Sequence, residues 1–337
     1  MGIPLPNRLL TSTTDTIDQH ALVDHSRPVI VALSGGKDSL LLCLVLRELG
    51  ISHHAVTVDM GYEAGWAERI LQRAHAVGIA AEMIDARGST TTPALGSDAA
   101  TVRLGLTVLD SLGTTKKSTA TPCTYCYNVK VMLLDAAADR IGASQVAFAH
   151  HMTDAAASLL KEALLHVDRF ERGHTRYERS NFESLVSELV TAAMEYDTEP
   201  DQPLLRSIAD LVSAARVSTD EPPRQPLRWD VPDSTEIIRP FFDVDEDTIV
   251  SAVSHSGIEP EGSGCGHGLT LSTQTPREMV HHRVLAGRGD TAFFSYVSHL
   301  VRESITPDGS SITRSRLLRQ QLLGCHYKPT IYELDKL

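Results

Sequence analysis

The chain has 337 residues, five cysteines and a formal net charge of −12 at pH 7. This length accommodates a substantial core, and the low cysteine content excludes a disulfide scaffold. No apolar run reaches the roughly 18 residues that a membrane span needs, and the N-terminus lacks the basic and apolar regions of a secretory signal. We therefore expect a cytoplasmic protein without a membrane partner. The acidic balance argues against a passive nucleic-acid binder, which normally carries an excess of basic residues.

The first half of the chain alternates the patterns of strands and helices. Short apolar runs predict strands over residues 28–33, 54–59, 79–84 and 145–150. Longer periodic segments predict helices over residues 40–49, 62–77, 98–112, 128–141 and 153–167. Strands that alternate with helices form right-handed βαβ units and a parallel sheet. The pattern predicts an open, doubly wound α/β domain over residues 26–168.

The second half is mainly helical. Apolar stripes predict helices over 182–193, 204–215, 245–256, 276–286, 291–304 and 311–323, with a short strand at 236–240. We divide the chain into an N-terminal extension (1–25), the α/β domain (26–168), a helical insert (169–235) and a C-terminal helical region (236–337).

The hexapeptide SGGKDS lies directly between the first predicted strand and the helix that follows it. A helix N-terminus offers unpaired N–H groups and the positive end of the helix dipole, and so binds phosphate. Two glycines let the backbone approach an anion closely, and a lysine adds positive charge. The segment is not a Walker A loop, which requires G-x-x-x-x-G-K-[ST].

SGGKDS resembles the PP-loop of the N-type ATP pyrophosphatases, which cleave ATP between the α and β phosphates. The resemblance implies an adenine nucleotide alpha-hydrolase-like fold and ATP as cofactor. The loop residues that it assigns to ATP are Ser34, Gly35, Gly36, Lys37, Asp38 and Ser39, with catalytic roles for Lys37 and Asp38. It places Asp59 and Met60, after the second strand, against the adenosine.

Three of the cysteines are candidates for one site. Cys123 and Cys126 form a CxxC motif, and Cys265 lies in the glycine-rich loop GSGCGHG. The residues alone allow a redox CxxC, a zinc site completed by His267, a three-cysteine iron–sulfur cluster, or an incidental arrangement. Cys43 lies in an apolar helix, and Cys325 follows a helix end, so we interpret both as structural.

The combination of PP-loop, CxxC and a late third cysteine resembles the tRNA 2-thiocytidine synthetase (TtcA-like) family and its 2-thiouridine relatives. The matching segments are SGGKDS, TPCTYC at 121–126, IGASQVAFAHH at 141–151, IIRP at 237–240 and the loop before Cys265. The resemblance spans residues 28–285, with 169–233 poorly matched. It implies a 4Fe–4S cluster held by Cys123, Cys126 and Cys265, and we favour this cluster over zinc.

The segment at the end of the fourth predicted strand departs from the family pattern GHHxDD. It reads Ala149-His150-His151-Met152-Thr153-Asp154, so that alanine replaces glycine and threonine replaces the first aspartate. Ligands of open α/β sheets bind at the carboxyl ends of the strands, so we expect His150 and Asp154 to face ATP. A carboxylate at this position suits Mg²⁺ bound with phosphates.

Basic residues recur after the α/β domain. Arg169, Arg172, Arg176 and Arg179 share one face if residues 161–180 form a helix. This stripe is a candidate RNA contact, and a solvated helix paired with nearby glutamates is the alternative. A second basic group contains Arg314, Arg316, Arg319 and Lys328.

The resemblance implies an ATP-dependent sulfurtransferase that adenylates a carbonyl oxygen, releases pyrophosphate and replaces the oxygen with sulfur. The implied partners are tRNA as the acceptor, a sulfur donor such as a cysteine desulfurase, and a second copy of the chain. The acidic charge leaves a small-molecule acceptor as an alternative. A PP-loop amide or amidine ligase with structural zinc, and a nucleotide-binding regulator without enzymatic activity, are further alternatives.

Overall fold

The computed structural model describes residues 5–60, 63–86, 122–174, 178–217, 228–229, 235–261 and 275–304. The strands are β1 (Val29–Ala32), β2 (His53–Asp59), β3 (Ala81–Asp85), β4 (Gln145–Ala147), β5 (Arg228–Trp229) and β6 (Glu236–Ile238). The helices are α1 (Asn7–Gln19), α2 (Lys37–Glu48), α3 (Trp66–Ala76), α4 (Pro122–Ile141), α5 (Met152–His166), α6 (Arg179–Glu195), α7 (Pro203–Val217), α8 (Glu246–Ser256), α9 (Pro276–Val280) and α10 (Ala292–Glu303). Two π-helical turns, Val167–Glu171 and His281–Leu285, follow α5 and α9. In the described ranges, none of these helices is long and apolar enough to cross a membrane.

The strands form one sheet in the order β3-β2-β1-β4-β6-β5, and this architecture confirms the predicted α/β class. Neighbouring strands are parallel except for β5, which runs antiparallel to β6. Apolar residues of α2, α3 and α5 pack in one core, and those of α4 pack in a second core with other residues of the same strands. The helices therefore cover both faces, as in a doubly wound sheet. The strand order changes direction between β1 and β4, which is where such folds bind ligands.

The sheet crosses the domain boundaries that the sequence suggested. β6 pairs in parallel with β4, so residues 236–238 complete the sheet of the α/β domain. The larger apolar core contains Leu9 near one end of the described chain and Val301 near the other. The division at residues 168 and 235 remains a prediction, and the backbone pairing joins the segments on either side of it.

Several predicted boundaries were wrong by a few residues. The strand predicted to extend to His150 ends at Ala147, because its partner β6 ends at Ile238 and Pro240, two residues further on, has no N–H to continue the ladder. The helix predicted from residue 128 begins at Pro122, a residue type that suits the first helical position. The helix predicted over 276–286 is α9 followed by a π turn. Sequence patterns missed α1 and β5, and the helices predicted over 98–112 and 311–323 lie outside the described residues.

Gln145 fastens the segment before β1 to the sheet. Its side chain accepts a hydrogen bond from the Asp24 N–H at 2.8 Å and donates to the Leu22 carbonyl at 2.8 Å. It also donates to the Glu236 carboxylate at 2.6 Å. Gln145 is 4% exposed, so a substitution that removes these bonds leaves inward-facing polar groups without partners.

We predict that Gln145→Leu lowers the free energy of unfolding by about 2–4 kcal/mol, because buried backbone groups lose their hydrogen bonds. Urea unfolding followed by circular dichroism measures this change. Gln19→Leu, at an exposed position in α1, serves as the control and is expected to shift the free energy by less than about 0.5 kcal/mol. Equal effects of the two substitutions would contradict the role of Gln145.

Candidate functional site

The PP-loop lies at the carboxyl end of β1, in the centre of the parallel sheet. β1 has β2 on one side and β4 on the other, so the loop lies between the ends of both neighbours. Gly36 is the N-cap of α2, and Lys37 is its first residue. The predicted strand–loop–helix arrangement is therefore confirmed, with the free N–H groups of α2 at the edge of the sheet where ligands bind.

Gly35 lies at a position in the loop where there is no room for a side chain. Its φ of +78° lies in the left-handed region, which favours glycine. A Cβ atom at this position would lie 2.5 Å from Cγ1 of Ile70 in α3. The close packing of α3 against the loop thus explains why the first glycine of the motif is needed here.

Ser34 and Ser39 connect the two ends of the loop. Their hydroxyl oxygens lie 3.1 Å apart, and the Ser34 N–H donates to the Ser39 hydroxyl at 3.1 Å. The Ser39 hydroxyl donates to the Gly36 carbonyl at 3.0 Å, and the Gly36 N–H donates to the Ser34 hydroxyl at 3.3 Å. These bonds hold the loop in a compact turn with both hydroxyls beside the helix N-terminus.

Lys37 is held between two carboxylates. Its Nζ atom lies 2.9 Å from Oδ1 of Asp38 and 3.2 Å from Oε1 of Glu246, the first residue of α8. Burial alone would lower the pKa of Lys37, but these carboxylates outweigh burial and raise it. The lysine is therefore a firmly charged ammonium group at the N-terminus of α2, where a phosphate group would be attracted.

Glu246 links the PP-loop to the C-terminal half of the chain. Its Oε2 atom lies 2.9 Å from Nε2 of His281, in the π turn after α9. The hydrogen bond from His281 lowers the pKa of Glu246 to about 2, with help from the Lys37 charge and against the effect of burial. The carboxylate is thus ionised at neutral pH and keeps both partners in place.

Asp154 lies in the first turn of α5 and binds two other groups of the site. One carboxylate oxygen pairs with Arg277 of α9, and the other accepts the His151 N–H at 3.3 Å. Burial alone would raise the pKa of Asp154, but His151 and Arg277 hold it well below its usual range. Asp154 therefore caps α5 and joins it to α9 as an ionised carboxylate.

Thr153 occupies the position of the first aspartate in the GHHxDD pattern of the TtcA-like family. In this protein its side chain has a structural role. Its side chain is 2% exposed, and its hydroxyl accepts the Glu246 N–H at 3.1 Å. This bond attaches the start of α8 to the start of α5. It therefore helps to hold the Glu246 carboxylate against Lys37.

His150 is held in its neutral form beside the sheet edge. Its ring stacks on Phe148 with centroids 5.6 Å apart. Burial lowers the pKa of His150 to about 3, and the positive charges of Arg239 and Arg277 act in the same direction, against Asp154. Its buried Nδ1 atom has no hydrogen-bond partner within the described residues. A neutral imidazole with an unused nitrogen can donate or accept one hydrogen bond from a ligand.

Asp59 and Met60 lie where the sequence predicted, at the carboxyl end of β2. Both are buried, and Asp59 pairs in register with Asp85 of β3. They flank the PP-loop on the side opposite β4, since β1 separates the two strands. The parallel sheet thus brings both predicted residues to the same edge as the phosphate loop.

The CxxC motif lies at the N-terminal end of α4. Cys123 and Cys126 are the second and fifth residues of α4, so their separation of one turn puts them on the same helix face. Thiolates near a helix N-terminus are favoured by its dipole. These placements suit a shared metal or cluster site, whereas Cys265 and Cys325 lie outside the described residues. The described residues alone contain no group of three or more metal-ligating side chains.

Cys43 conforms to the structural role expected of it. It is fully buried in α2, and burial raises the pKa of its thiol to about 12. A buried, protonated thiol is neither a good nucleophile nor a ready metal ligand.

The four arginines do not lie on one continuous helix. The prediction that residues 161–180 form a single helix was therefore wrong. α5 ends at His166, a π turn carries Arg169, and Arg179 begins a separate helix. Arg172 pairs with Glu188 at 2.7 Å, and Arg179 pairs with Glu183 at 2.8 Å. Gly173, which has a positive φ, follows the π turn and is unfavourable within a helix. Arg176 lies outside the described residues.

Sequence reasoning missed three residues of the site. All three come from the C-terminal half: Glu246 pairs with the PP-loop lysine, Arg277 pairs with Asp154 at the start of α5, and His281 pairs with Glu246. The acidic start of α8 was visible as a helix-start pattern, with Asp245 as the N-cap. That pattern does not reveal which lysine the helix start meets, because the contact joins segments far apart in the chain.

No family model matches the chain. A curated relative, the tRNA-5-methyluridine(54) 2-sulfurtransferase of Pyrococcus horikoshii, is 26% identical over 149 residues, which are 44% of this chain and 43% of the relative. The chain thus matches less than half the length of that protein. The U34-tRNA thiolase NcsA of Methanococcus maripaludis, solved with its 4Fe–4S cluster, is 15% identical over 87% of this chain and 76% of that one, with a TM-score of 0.46. NMN synthetase of Francisella tularensis is 9% identical over 90% and 94%, with a TM-score of 0.40.

The doubly wound sheet, with SGGKDS at its switch point, is the α/β fold that the resemblance to the N-type ATP pyrophosphatases implies. The similarity to a curated tRNA sulfurtransferase agrees with the resemblance recognised in the sequence.

We predict that Gly35→Ala weakens ATP binding at least tenfold and destabilises the fold by about 2–4 kcal/mol, because strain at positive φ adds to a clash with Ile70. Gly50→Ala is the matched control, since Gly50 has a φ of +69° but open space around its Cβ position. Calorimetric titration with ATP and urea unfolding measure the two effects. Equal losses in both variants would show that packing against α3 is unimportant.

His150 predicts a dependence of stability on pH. Its pKa falls from an ordinary 6.5 to about 3 on folding, so below pH 6.5 the unfolded chain binds a proton that the folded protein does not. The free energy of unfolding therefore decreases as the pH falls from 6.5 towards 3, with a slope of up to about 1.4 kcal/mol per pH unit from this group. His150→Gln is expected to remove this contribution in urea unfolding at pH 7, 6 and 5. His54→Gln, at an exposed position of β2, is expected to preserve it, and an unchanged pH dependence in His150→Gln would contradict the prediction.

Proposed function

We propose that the protein is an ATP-dependent sulfurtransferase that activates a carbonyl oxygen of its acceptor, and that the acceptor is a tRNA. The observation that carries the proposal is the SGGKDS loop at the switch point of the sheet, with the Lys37 ammonium beside the N-terminus of α2. The CxxC motif at the start of α4 and the similarity to a curated tRNA sulfurtransferase support the sulfur chemistry and the class of acceptor.

ATP would bind with its phosphates at the PP-loop. The N–H groups at the start of α2 and the hydroxyls of Ser34 and Ser39 would donate to phosphate oxygens, and Lys37 would neutralise part of their charge. Mg²⁺ would accompany the phosphates, with Asp38 or Asp154 as the nearby carboxylates. The edge formed by Asp59 and Met60 would receive the adenosine.

The first chemical step would be adenylation. The carbonyl oxygen of the acceptor attacks the α-phosphate, the bond to the bridging oxygen of the β-phosphate breaks, and pyrophosphate leaves. The acceptor carbon then carries AMP, a far better leaving group than oxide. The residues of this chain would contribute alignment and charge stabilisation rather than a nucleophile, with Lys37 placed to stabilise the departing pyrophosphate.

Cys123, Cys126 and Cys265 would hold a 4Fe–4S cluster. The shared helix face of the first two residues and their position near a helix N-terminus suit two thiolate ligands. When bound by three thiolates, such a cluster has one open iron that can carry the sulfide for exchange. In the net substitution a C–S bond forms, the C–O bond to AMP breaks, and AMP leaves.

The basic residues after α5 are the proposed contact to RNA. Arg169 lies on the π turn over the ring of Phe170, and it has no acidic partner within the described residues, unlike Arg172 and Arg179. Among the arginines of the stripe that the structure describes, Arg169 is therefore the one available to bind an RNA phosphate. A sulfur donor of the cysteine desulfurase type and a homodimer remain predictions.

A small-molecule acceptor is the second candidate. It is favoured by the net charge of −12 and by the ion pairs that engage Arg172 and Arg179. The same adenylation and sulfur replacement would apply to it. A ligase with structural zinc differs chemically, since it would contain zinc and no acid-labile sulfide.

We predict that Cys265→Ala abolishes sulfur transfer, with at least a hundredfold loss, and leaves ATP affinity within twofold of wild type. The reason is that the cysteine would serve the cluster, whereas the PP-loop binds the nucleotide. Mass spectrometry of tRNA nucleosides after incubation with anaerobically reconstituted protein measures transfer, and calorimetry measures ATP binding. Cys43→Ala is the control that keeps transfer, because Cys43 is buried in α2.

Full transfer by reconstituted Cys265→Ala would contradict the cluster assignment. An unchanged profile of tRNA thionucleosides in a deletion strain would contradict the tRNA acceptor and favour the small molecule. Zinc without iron or acid-labile sulfide in the purified protein would favour the ligase.

A further inference from the structure

Glu261 fastens the outer side of the PP-loop to α3. Its backbone N–H donates to the Gly35 carbonyl at 2.9 Å. Its carboxylate accepts from Nε of Arg69 at 3.0 Å with one oxygen and from Nε of Arg73 at 2.7 Å with the other. Arg73 also donates to the Glu259 carbonyl at 3.1 Å. We call Arg69, Arg73 and Glu261 the arginine clamp.

The arginine clamp is more enclosed than an ordinary surface ion pair. The Glu261 side chain is 12% exposed, whereas the neighbouring Glu259 is 86% exposed. The hydrogen bond from Arg69, together with that from Arg73, lowers the pKa of Glu261. Paired donors on both carboxylate oxygens fix the side chain and so fix the position of its backbone N–H.

The contact to Gly35 determines which way one loop N–H points. In a trans peptide the C=O and N–H groups point in opposite directions, and the described chain has no cis peptide. Since the Gly35 carbonyl points outwards to Glu261, the N–H of Gly36 in the same peptide points to the inner side of the loop. There it meets the Ser34 hydroxyl at 3.3 Å, at the N-cap of α2.

The loop needs an external contact to keep this orientation. Glycine populates many backbone conformations, so the plane of a peptide between two glycines can flip at little energetic cost. Within the described residues, the Glu261 N–H is the backbone donor that holds the Gly35 carbonyl outwards. A phosphate-binding N–H gains affinity when its direction is fixed before the ligand arrives.

We propose that Glu261 is a positioning residue for ATP: held by Arg69 and Arg73, it fixes the Gly35–Gly36 peptide with its N–H facing the bound phosphates. The proposal rests on the proposed ATP site and adds to it a residue that acts without touching the nucleotide. Glu261 also lies four residues before Cys265 in the sequence. The arginine clamp therefore joins the phosphate loop to the stretch of chain that leads to the third proposed cluster ligand.

Glu261→Gln tests this role in the full chain. Glutamine keeps the shape of the side chain but replaces one of the two acceptor oxygens with a donor facing an arginine. We expect the Kd for ATP in calorimetry to rise about tenfold. In pyrophosphate release, the KM for ATP rises by a similar factor, and kcat changes less than twofold. Glu68→Gln, at an exposed position of α3, is the matched control and is expected to leave all three values unchanged.

A double-mutant cycle separates positioning from general stability. Arg73→Ala is also expected to raise the Kd for ATP. The double variant Glu261→Gln/Arg73→Ala is expected to bind ATP no more weakly than the weaker-binding of the two single variants, because both substitutions act through the arginine clamp. Unchanged ATP affinity in Glu261→Gln, or an equal loss in Glu68→Gln, overturns the proposal. A fall in kcat without a change in KM also overturns it. The calorimetric Kd concerns ATP alone, so it decides the role of Glu261 whether or not tRNA proves to be the acceptor.

Discussion

The ammonium group of Lys37 is the interaction on which the site depends, because it joins two distant parts of the chain. It pairs with Asp38 at the start of α2 and with Glu246 at the start of α8. A partly buried ion pair is costly to break on one side only, since the remaining charge would lack a partner. The pair therefore holds α8 against the phosphate loop. Through the contact of Glu246 with His281, it also holds the π turn that follows α9.

The same carboxylates shape what ATP would meet at the loop. A phosphate that approaches Lys37 also approaches Asp38 and Glu246, and like charges at such distances repel strongly where water is scarce. A divalent cation bound with the phosphates would offset this repulsion, in agreement with the proposed Mg²⁺. The second acidic group of the site is Asp154, whose oxygens already bind Arg277 and the His151 N–H. Its observed role is to bring α9 to the start of α5.

The central sheet and its phosphate loop could be predicted because their signals are local. β1, the loop and α2 follow one another directly in the chain. The apolar residues that predict a buried strand and the two glycines that predict a tight loop are therefore close together in the sequence. Element ends were harder to predict, because they depend on partners. β4 stops where β6 stops, and the basic segment after α5 turns through a π turn instead of continuing as a helix. The role of Thr153 was also hidden, since its hydroxyl binds the backbone of a helix far along the chain.

The sequence by itself determined the α/β class, the PP-loop with Lys37 at a helix N-terminus, and the candidate cysteines, because each of these is encoded by neighbouring residues. Only the tertiary structure decided which distant residues complete the loop: Glu246, whose carboxylate pairs with Lys37, and Glu261, whose backbone N–H binds the Gly35 carbonyl. The physical reason is that hydrophobic periodicity specifies which face of a helix is buried but not which polar group its end will meet. These contacts form only when the helices pack on the sheet and bring charged groups from separate segments within hydrogen-bonding distance.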